Sequence, residues 1–339
     1  MGCSRTHRAS RYSLQKDIKT AKMKNAALYA DENGELCPTK GELLIEVLFS
    51  GANHFDITMV QLLGCRSQVL GNDFYGQGSD VTDTAFRPGD IVACYTIANS
   101  GRSIRYGSHQ TYISIPPTGI FKAQEHLPHA DAAALTTIIT PGTTDGVVVI
   151  WGGATAVGIA AIQLARNSST KSIIVTASPE RHEFLKDMGA TRYNKERVVQ
   201  DITAAVHEAA SGPVLGFDAA GTPDSAKHLS DALADKEDVS LASVYAWAGG
   251  RYEAFIGGRH YDVIFQPPGA PAPIVMPASP VEAAKMWDRL MWVVKHYRKE
   301  SIIPATYVFQ STGQEALEEV KKFASTGRFG TIALKHPLA

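Results

Sequence analysis

The stretch Gly152-Gly153-Ala154-Thr155-Ala156-Val157-Gly158 holds the residue types whose spacing points most directly to chemistry. Closely set glycines let the backbone turn tightly, and a helix starting there directs unpaired N–H groups and its positive dipole end at whatever lies above, which suits a pyrophosphate. Gly152, Gly153, Ala154, Thr155, Ala156 and Val157 are therefore the expected dinucleotide-binding residues. From Gly153 to Gly158 the spacing follows G-x-G-x-x-G, except that Thr155 stands in the middle glycine position, where a β-carbon partly crowds a phosphate.

The flanking residues are of the kind needed to hold such a turn. Val147 to Trp151 is an apolar, β-branched run suited to a central parallel strand, and from Ala156 to Arg166 an apolar pattern without proline predicts a helix packed on a sheet. Ser172 to Ala177 reads as a second strand, Pro179 to Met188 as a second helix, and Gly189-Ala190 as its stop. Two consecutive βαβ steps carry more weight than the lone motif and favour a parallel sheet covered by helices. The rival reading is a strand and helix whose glycines serve packing alone. The uncharged run Gly146 to Ala165 has the length of a membrane span, but its four glycines and the second βαβ step argue against one.

The whole chain has 339 residues, 44% hydrophobic and 20% charged, which fits a globular protein with room for about two domains. A formal net charge of -1 leaves no positive excess for neutralising phosphates, so nucleic acid is excluded as the main partner. Cys3, Cys37, Cys65 and Cys94 form no C-x-x-C pair, which points to neither a disulfide scaffold nor a zinc knuckle and fits a reducing, cytoplasmic compartment. Residues 1 to 24 are polar and lack a signal-peptide core. Met1-Gly-Cys-Ser-Arg-Thr6 matches the N-myristoylation pattern, while the Arg- and Ser-rich leader also suits a mitochondrial address or a disordered extension; the disordered reading is adopted.

From Asn25 the chain turns β-rich. Glu42 to Phe49 and Ile91 to Tyr95 read as strands, the latter after the turn Phe86-Arg-Pro-Gly-Asp90, and Tyr106 to Ile113 as another before Pro116 and Pro117. Asn53 and Asp56, Gly71 to Gly76, Arg87-Pro-Gly-Asp90, Asp131-Ala-Ala-Ala-Leu135, the glycine turn and the tail Gly327 to Leu334 together resemble the medium-chain dehydrogenase/reductases, notably their zinc-independent quinone and enoyl reductase branch. Ile150 to Gly158 and Thr176 to Glu180 look most like the fungal trans-acting enoyl reductases that work beside polyketide synthases, where a threonine also occupies the middle of the turn.

The resemblance implies an α/β architecture: a Rossmann doubly wound parallel sheet inserted into a GroES-like, partly open β-barrel. The expected division is a disordered leader over 1–24, the first part of the barrel domain over 25–145, the Rossmann domain over 146–269 and the return to the barrel over 270–339. The active site would be the cleft between the two domains, and the helix Val281 to Tyr297 would pack on the barrel side. Where the superfamily's alcohol dehydrogenases bind catalytic zinc, this chain has Asn53 and Gly71-Asn72-Asp73, a poor donor set that predicts no metal. The remaining chemistry is hydride transfer to a conjugated acceptor, an enone, enoyl thioester or quinone, with Asn53, Thr58 and Tyr75 as candidate catalytic residues. The Tyr-x-x-x-Lys pair of short-chain enzymes is not found around Tyr245, Tyr252 or Tyr261.

Ala177-Ser178 ends the second strand where an acid would select NADH. In the related reductases a serine there, a basic residue three positions on and a tyrosine after the next helix surround a 2′-phosphate, which implies NADPH held by Ser178, Arg181 and Tyr193. The rival reading has Arg181, His182 and Lys186 merely on a solvated helix face. Two departures from the family, the short segment Thr136 to Gly146 and Thr58 where relatives carry lysine, motivate an alternative: a non-redox cyclase or binding scaffold that keeps the fold. The implied partners are a small-molecule or carrier-bound substrate and a polyketide synthase, with no membrane partner, in a monomer or homodimer. Leu241 to Gly249 followed by Tyr261 to Gln266 would supply a dimer edge, unless Pro267, Pro268 and the prolines from Pro271 to Pro280 block it.

Overall fold

The computed structural model describes residues 12–14, 21–23, 38, 40–61, 64, 69–81, 85–99, 102–135, 145–168, 170–190, 198–209, 212–245, 247–253, 259–326 and 329–338. In chain order the first elements are β1 (Tyr12–Leu14), β2 (Ala21–Met23), β3 (Leu43–Ala52), α1 (His54–Gln61), β4 (Asp73–Val81), β5 (Ile91–Tyr95), β6 (Tyr112–Ile115), β7 (Ile120–Lys122) and α2 (His129–Ala132). Then come β8 (Val147–Trp151), α3 (Ala156–Arg166), β9 (Ser172–Thr176), α4 (His182–Asp187), α5 (Val198–Ala209), β10 (Val214–Asp218), α6 (Pro223–Ala232) and β11 (Val239–Ser243). The last are β12 (Val263–Phe265), β13 (Ile274–Met276), α7 (Pro280–Lys295), β14 (Thr306–Phe309), α8 (Gly313–Thr326) and β15 (Thr331–Lys335).

The chain divides into two compact units, one of Met1–Thr137, His260–Ala278 and Pro304–Ala339, the other of Ile138–Arg259 and Ser279–Ile303. The first unit is the barrel. Its sheet runs β14-β15-β3-β4-β5-β7, and β6 also pairs with β3. One edge of β3 bonds β6 through Leu43 to Glu46 and β15 through Phe49 to Ala52, while β4 takes the other edge. Irregularities in the β3–β4 ladder between Leu44 and Ile45 and between Val47 and Phe49 supply the extra twist by which a strand can change partners. Against the sheet, Ile57 of α1 shares a core with Ala316 and Val320 of α8 and with Ile332 and Leu334 of β15.

The second unit is built on four parallel strands in the order β11-β10-β8-β9. Val147 to Ile150 are buried, as expected of a strand covered on both faces, and Val149, Ile174, Val214 and Leu241 bring the four strands into one core. From β8 the chain crosses to β9 on one side and later returns to β10 on the other. This reversal is the switch point at which open α/β sheets bind ligands.

Several expectations need correction. Within the leader, expected to be disordered to residue 24, β1 and β2 pair antiparallel with Tyr12 opposite Met23; the period-two spacing of Tyr12 with Leu14 and of Ala21 with Met23 allows a short ribbon. The lipidation motif lies outside the described residues. The strand expected from Tyr106 to Ile113 begins only at Tyr112, because Ser108 and His109 donate their backbone N–H groups to Gly71 and Leu70 instead of to a sheet. Helix α7 belongs to the second unit rather than to the barrel. The Gln163 amide of α3 donates to Ile302 O at 3.1 Å and accepts from Ile302 N at 2.5 Å, tying the segment after α7 to the helix behind the glycine turn. Its buried face is Ala283, Leu290, Val293 and Val294, with Met286, Trp287 and Trp292 only half-buried. Finally, β12 forms an antiparallel ribbon with β13 within the first unit, so it does not extend the parallel sheet.

Candidate cofactor and acceptor sites

The glycine turn of the second unit is held from both sides. Gly152 N donates to Thr176 Oγ1 at 3.0 Å and Gly153 N to Thr176 O at 2.8 Å, fixing the turn to the end of β9. On the other side it lies against the turn after β10: a β-carbon on Gly152, whose φ is 87°, would stand 2.9 Å from Ala220 N. That second turn is shaped by Asp218, fully buried, which accepts from Ala220 N and Gly221 N at 3.1 Å each and from Ser243 Oγ at 2.7 Å. Helix α3 starts beneath. A β-carbon on Gly158 would come within 2.3 Å of Gly152 O, so only glycine permits this approach of helix and turn.

Thr155 is the N-cap of α3, with φ -73° and ψ 158°. Its hydroxyl donates to Gly152 O at 2.9 Å and accepts from Gly158 N at 3.0 Å. The residue that breaks the fingerprint thus performs the capping expected of a helix start, in a backbone conformation open to any residue. Ala156 and Val157, the first two helical residues, have N–H groups that no intrahelical carbonyl reaches. With Ala154 they form the part of the turn fit to receive a pyrophosphate, so the geometry suits a dinucleotide.

At the end of β9, Ser178 caps a single 3₁₀ turn, Pro179–Arg181, that runs into α4. Its hydroxyl donates to Glu180 Oε1 at 2.7 Å. Arg181 is half-buried beside it, and His182 Nε2 donates to Ala177 O at 2.9 Å. Tyr193 lies outside the described residues, as do residues 136–144 of the short segment.

The acceptor candidates lie in the barrel, where α1 starts on a half capping box: Asn53 N donates to Asp56 Oδ2 at 2.8 Å. The Asn53 side chain is thereby free to turn away, and its Nδ2 donates to Asp73 Oδ2 at the start of β4. Asn72 Nδ2 donates to Asp56 Oδ1 at 3.2 Å. Behind them Arg102, only 7% exposed, donates through Nη1 to Asn72 Oδ1 at 2.7 Å and Ile97 O at 3.1 Å, and through Nη2 to Val69 O at 2.7 Å and Gly71 O at 3.1 Å. His109 Nε2 lies 3.5 Å from Asp56 Oδ2, and Ser50 Oγ sits 2.8 Å from both His109 Nδ1 and His336 Nε2. Burial, aided by His109, pushes the His336 imidazole down to about 3.

Thr58 and Tyr75 are not drawn into this centre. Thr58 Oγ1 pairs with His54 Nδ1 at 2.9 Å, one turn back on α1. Tyr75 shares a face of β4 with Asp73 but is buried at 4% exposure, its ring stacked on His129 with centroids 4.7 Å apart. Burial raises its phenol above the ordinary range. Tyr75 is thus enclosed in the barrel wall. Sequence reasoning passed over Thr176, Asp218, Arg102, His109 and His336; of these only Asp218, a lone acid closing an apolar strand before a Thr-Pro helix start, left a local signal.

Residues 156–255 match the family described as zinc-binding dehydrogenase. The chain carries a domain of that family. A similar sequence is the trans-enoyl reductase xenG of Xenoacremonium sinensis, 27% identical over 218 residues that cover 56% of this chain and 59% of the relative. The chain spans about half the length of several curated relatives that it matches, named as dehydrogenases or trans-enoyl reductases. Among solved structures, an alcohol dehydrogenase superfamily protein from Novosphingobium aromaticivorans superposes with a TM-score of 0.69 at 18% identity, over 97% of this chain and 100% of that one. The quinone oxidoreductase from Coxiella burnetii gives 0.65 at 24% identity, over 97% and 99%. These likenesses show the fold, a Rossmann domain with a GroES-like barrel.

The family's name implies a metal, and this zinc-binding dehydrogenase domain is joined to a barrel whose donors do not suit one. At the expected ligand places stand two amides and a carboxylate. Asn53 is occupied by Asp73, and Asn72 by Arg102 and Asp56. Neither thiolate nor imidazole is present at those places. Among the described residues no group of three or more His, Cys, Asp and Glu could hold a metal ion, and no helix is long and apolar enough to cross a membrane.

Proposed function

We propose that the protein is an NADPH-dependent, zinc-independent reductase of an α,β-unsaturated carbonyl compound, an enoyl thioester, enone or quinone, acting in polyketide-type secondary metabolism beside a synthase. The observation that carries this reading is the Asn53–Asp73 and Asn72–Arg102 pairing, which gives the metal-ligand places to hydrogen bonds. An acceptor reduced there must be activated by its own conjugation.

The bound nicotinamide would supply a hydride. The protein's part in the second unit is to fix the pyrophosphate on the N–H groups of Ala154, Ala156 and Val157, with Ser178 and Arg181 facing a 2′-phosphate. In the barrel, Asn53 and Thr58 are the polar groups proposed to orient the acceptor, while Tyr75 supports the wall.

The test is nicotinamide consumption by the full chain with a panel of a crotonyl-pantetheine thioester, a cyclic enone, a benzoquinone and a simple ketone. NADPH loss with a conjugated acceptor, unaffected by chelators, is expected. Arg181→Ala should weaken NADPH at least about tenfold more than NADH, since it removes a charge-assisted phosphate contact. Activity restored only by zinc would overturn the metal-free reading. Conversion without any nicotinamide would replace the reductase with a cyclase on the same fold.

A further inference from the structure

Glu180 bonds the serine at which the proposed function would seat a 2′-phosphate. Its Oε1 accepts the Ser178 hydroxyl proton at 2.7 Å; Glu180 is exposed and Ser178 half-buried. That hydrogen bond, with a backbone one, holds the carboxyl below its ordinary range, aided by the charges of Arg181 and His182. Glu180 is therefore ionised throughout the neutral range, and it already occupies the donor and the positive field that a phosphate requires.

We propose that Glu180 is a specificity-determining residue: its carboxylate competes with the 2′-phosphate for Ser178 and Arg181 and accepts a hydrogen bond from the free 2′-hydroxyl of NADH, narrowing the preference for NADPH. The inference rests on the reading that Ser178 and Arg181 face the 2′-phosphate. Its chemistry is asymmetric. A phosphate meeting Glu180 faces a like charge and must displace it from Ser178, whereas a ribose hydroxyl can donate to the carboxylate where it stands. An acid at the very end of the second strand would exclude the phosphate more completely. Glu180 is two residues further on, beyond Ser178, and can swing aside, so it tempers the choice of cofactor without reversing it.

The experiment is titration of the whole 339-residue chain with NADPH and NADH, read by equilibrium dialysis, for wild type, Glu180→Gln and Arg181→Ala. Glu180→Gln should tighten NADPH about fivefold, the scale of one removed like-charge contact at a solvated site, and leave NADH unchanged or weaker. The gain should shrink in high salt. If Glu180→Gln shifts both cofactors equally, or neither, while Arg181→Ala still weakens NADPH selectively, the role of Glu180 is overturned and the phosphate site stands. If Arg181→Ala leaves the NADPH to NADH ratio unchanged, the phosphate site itself is wrong and the proposal falls with it.

Discussion

The two regions that matter chemically are built in opposite ways. In the second unit, the turn from Gly152 to Gly158 is mostly backbone, and its few side-chain contacts, from Thr155 and Thr176, serve to hold main-chain N–H and C=O groups in place, as Asp218 does for the neighbouring turn after β10. In the barrel, the centre is mostly side chains: Asn53, Asp56, Asn72, Asp73 and Arg102 converge from separate parts of the chain and bond to one another, with His109 Nε2 3.5 Å from Asp56 Oδ2. A site of the first kind tolerates side-chain change but no change of shape. A site of the second kind fails when one member is lost, because its partners are left buried without a partner of their own.

The sharpest test of this contrast is Arg102. Its guanidinium satisfies Asn72 and the carbonyls of Val69, Gly71 and Ile97 in a buried setting. Removing a charged donor from several buried acceptors costs far more than one neutral bond, so Arg102→Ala should lower stability by about 3–5 kcal/mol, read as a fall in the urea midpoint. Arg102→Lys should recover less than half of this, since lysine lacks the planar fork. A loss within about 0.5 kcal/mol, the range of ordinary surface substitutions, would show that the centre is not the cooperative network described.

Gly158 tests the other region through shape alone. Glycine to alanine inside a helix normally stabilises it by about 1 kcal/mol. Here the added β-carbon would sit 2.3 Å from Gly152 O, a backbone atom that can yield only if the turn opens. Gly158→Ala is therefore expected to cost about 1–3 kcal/mol, as overpacking does, and to weaken NADPH binding by at least about tenfold. Unchanged stability with unchanged binding would mean that the helix and turn do not need this approach.

This difference of construction also decides what could be read from the sequence. The β8 strand, the turn and α3 follow from a local pattern: an apolar run, glycines at fixed offsets and a helix without proline. Ile91 to Tyr95 was legible for the same reason, with a Pro-Gly turn before it. Ser50 and His336, by contrast, are 286 residues apart in the chain, and nothing near either marks the other. Ser108 and His109 lie in a stretch that reads as strand, yet their backbone N–H groups bond Gly71 and Leu70 rather than a ladder, which nothing in the local sequence marks. The role of Gln163 was hidden too, since one polar residue in an apolar helix does not announce that it will bind the backbone of Ile302.

His336 gives a smaller effect with a defined sign. The neutral imidazole is favoured by burial, so its folded pKa of about 3 lies below the ordinary 6.5. Between those values the unfolded chain binds the proton and the folded one does not, so this contribution is complete above pH 6.5 and is lost as pH falls. The loss should approach about 1.4 kcal/mol per pH unit, or on the order of 2 kcal/mol from pH 6.5 to 5. In His336→Gln, which keeps a polar partner for Ser50 but cannot titrate, the urea midpoint should fall less steeply over that range. Equal slopes would place the acid sensitivity elsewhere.

The smallest expected effect bears on Thr155, where the two kinds of construction meet: a side chain stands in a backbone site. If its hydroxyl serves to cap α3, Thr155→Ser should be nearly silent, Thr155→Ala should cost about 1 kcal/mol and Thr155→Gly only a few tenths relative to threonine. The glycine variant also restores the dinucleotide fingerprint, so it separates capping from crowding. Because the threonine side chain is already folded onto Gly152 O and Gly158 N, removing its β-carbon should not tighten NADPH. A large gain in affinity for Thr155→Gly would mean instead that the methyl group stands in the path of the phosphate, and that the turn carries a cost in binding which its cap only partly offsets.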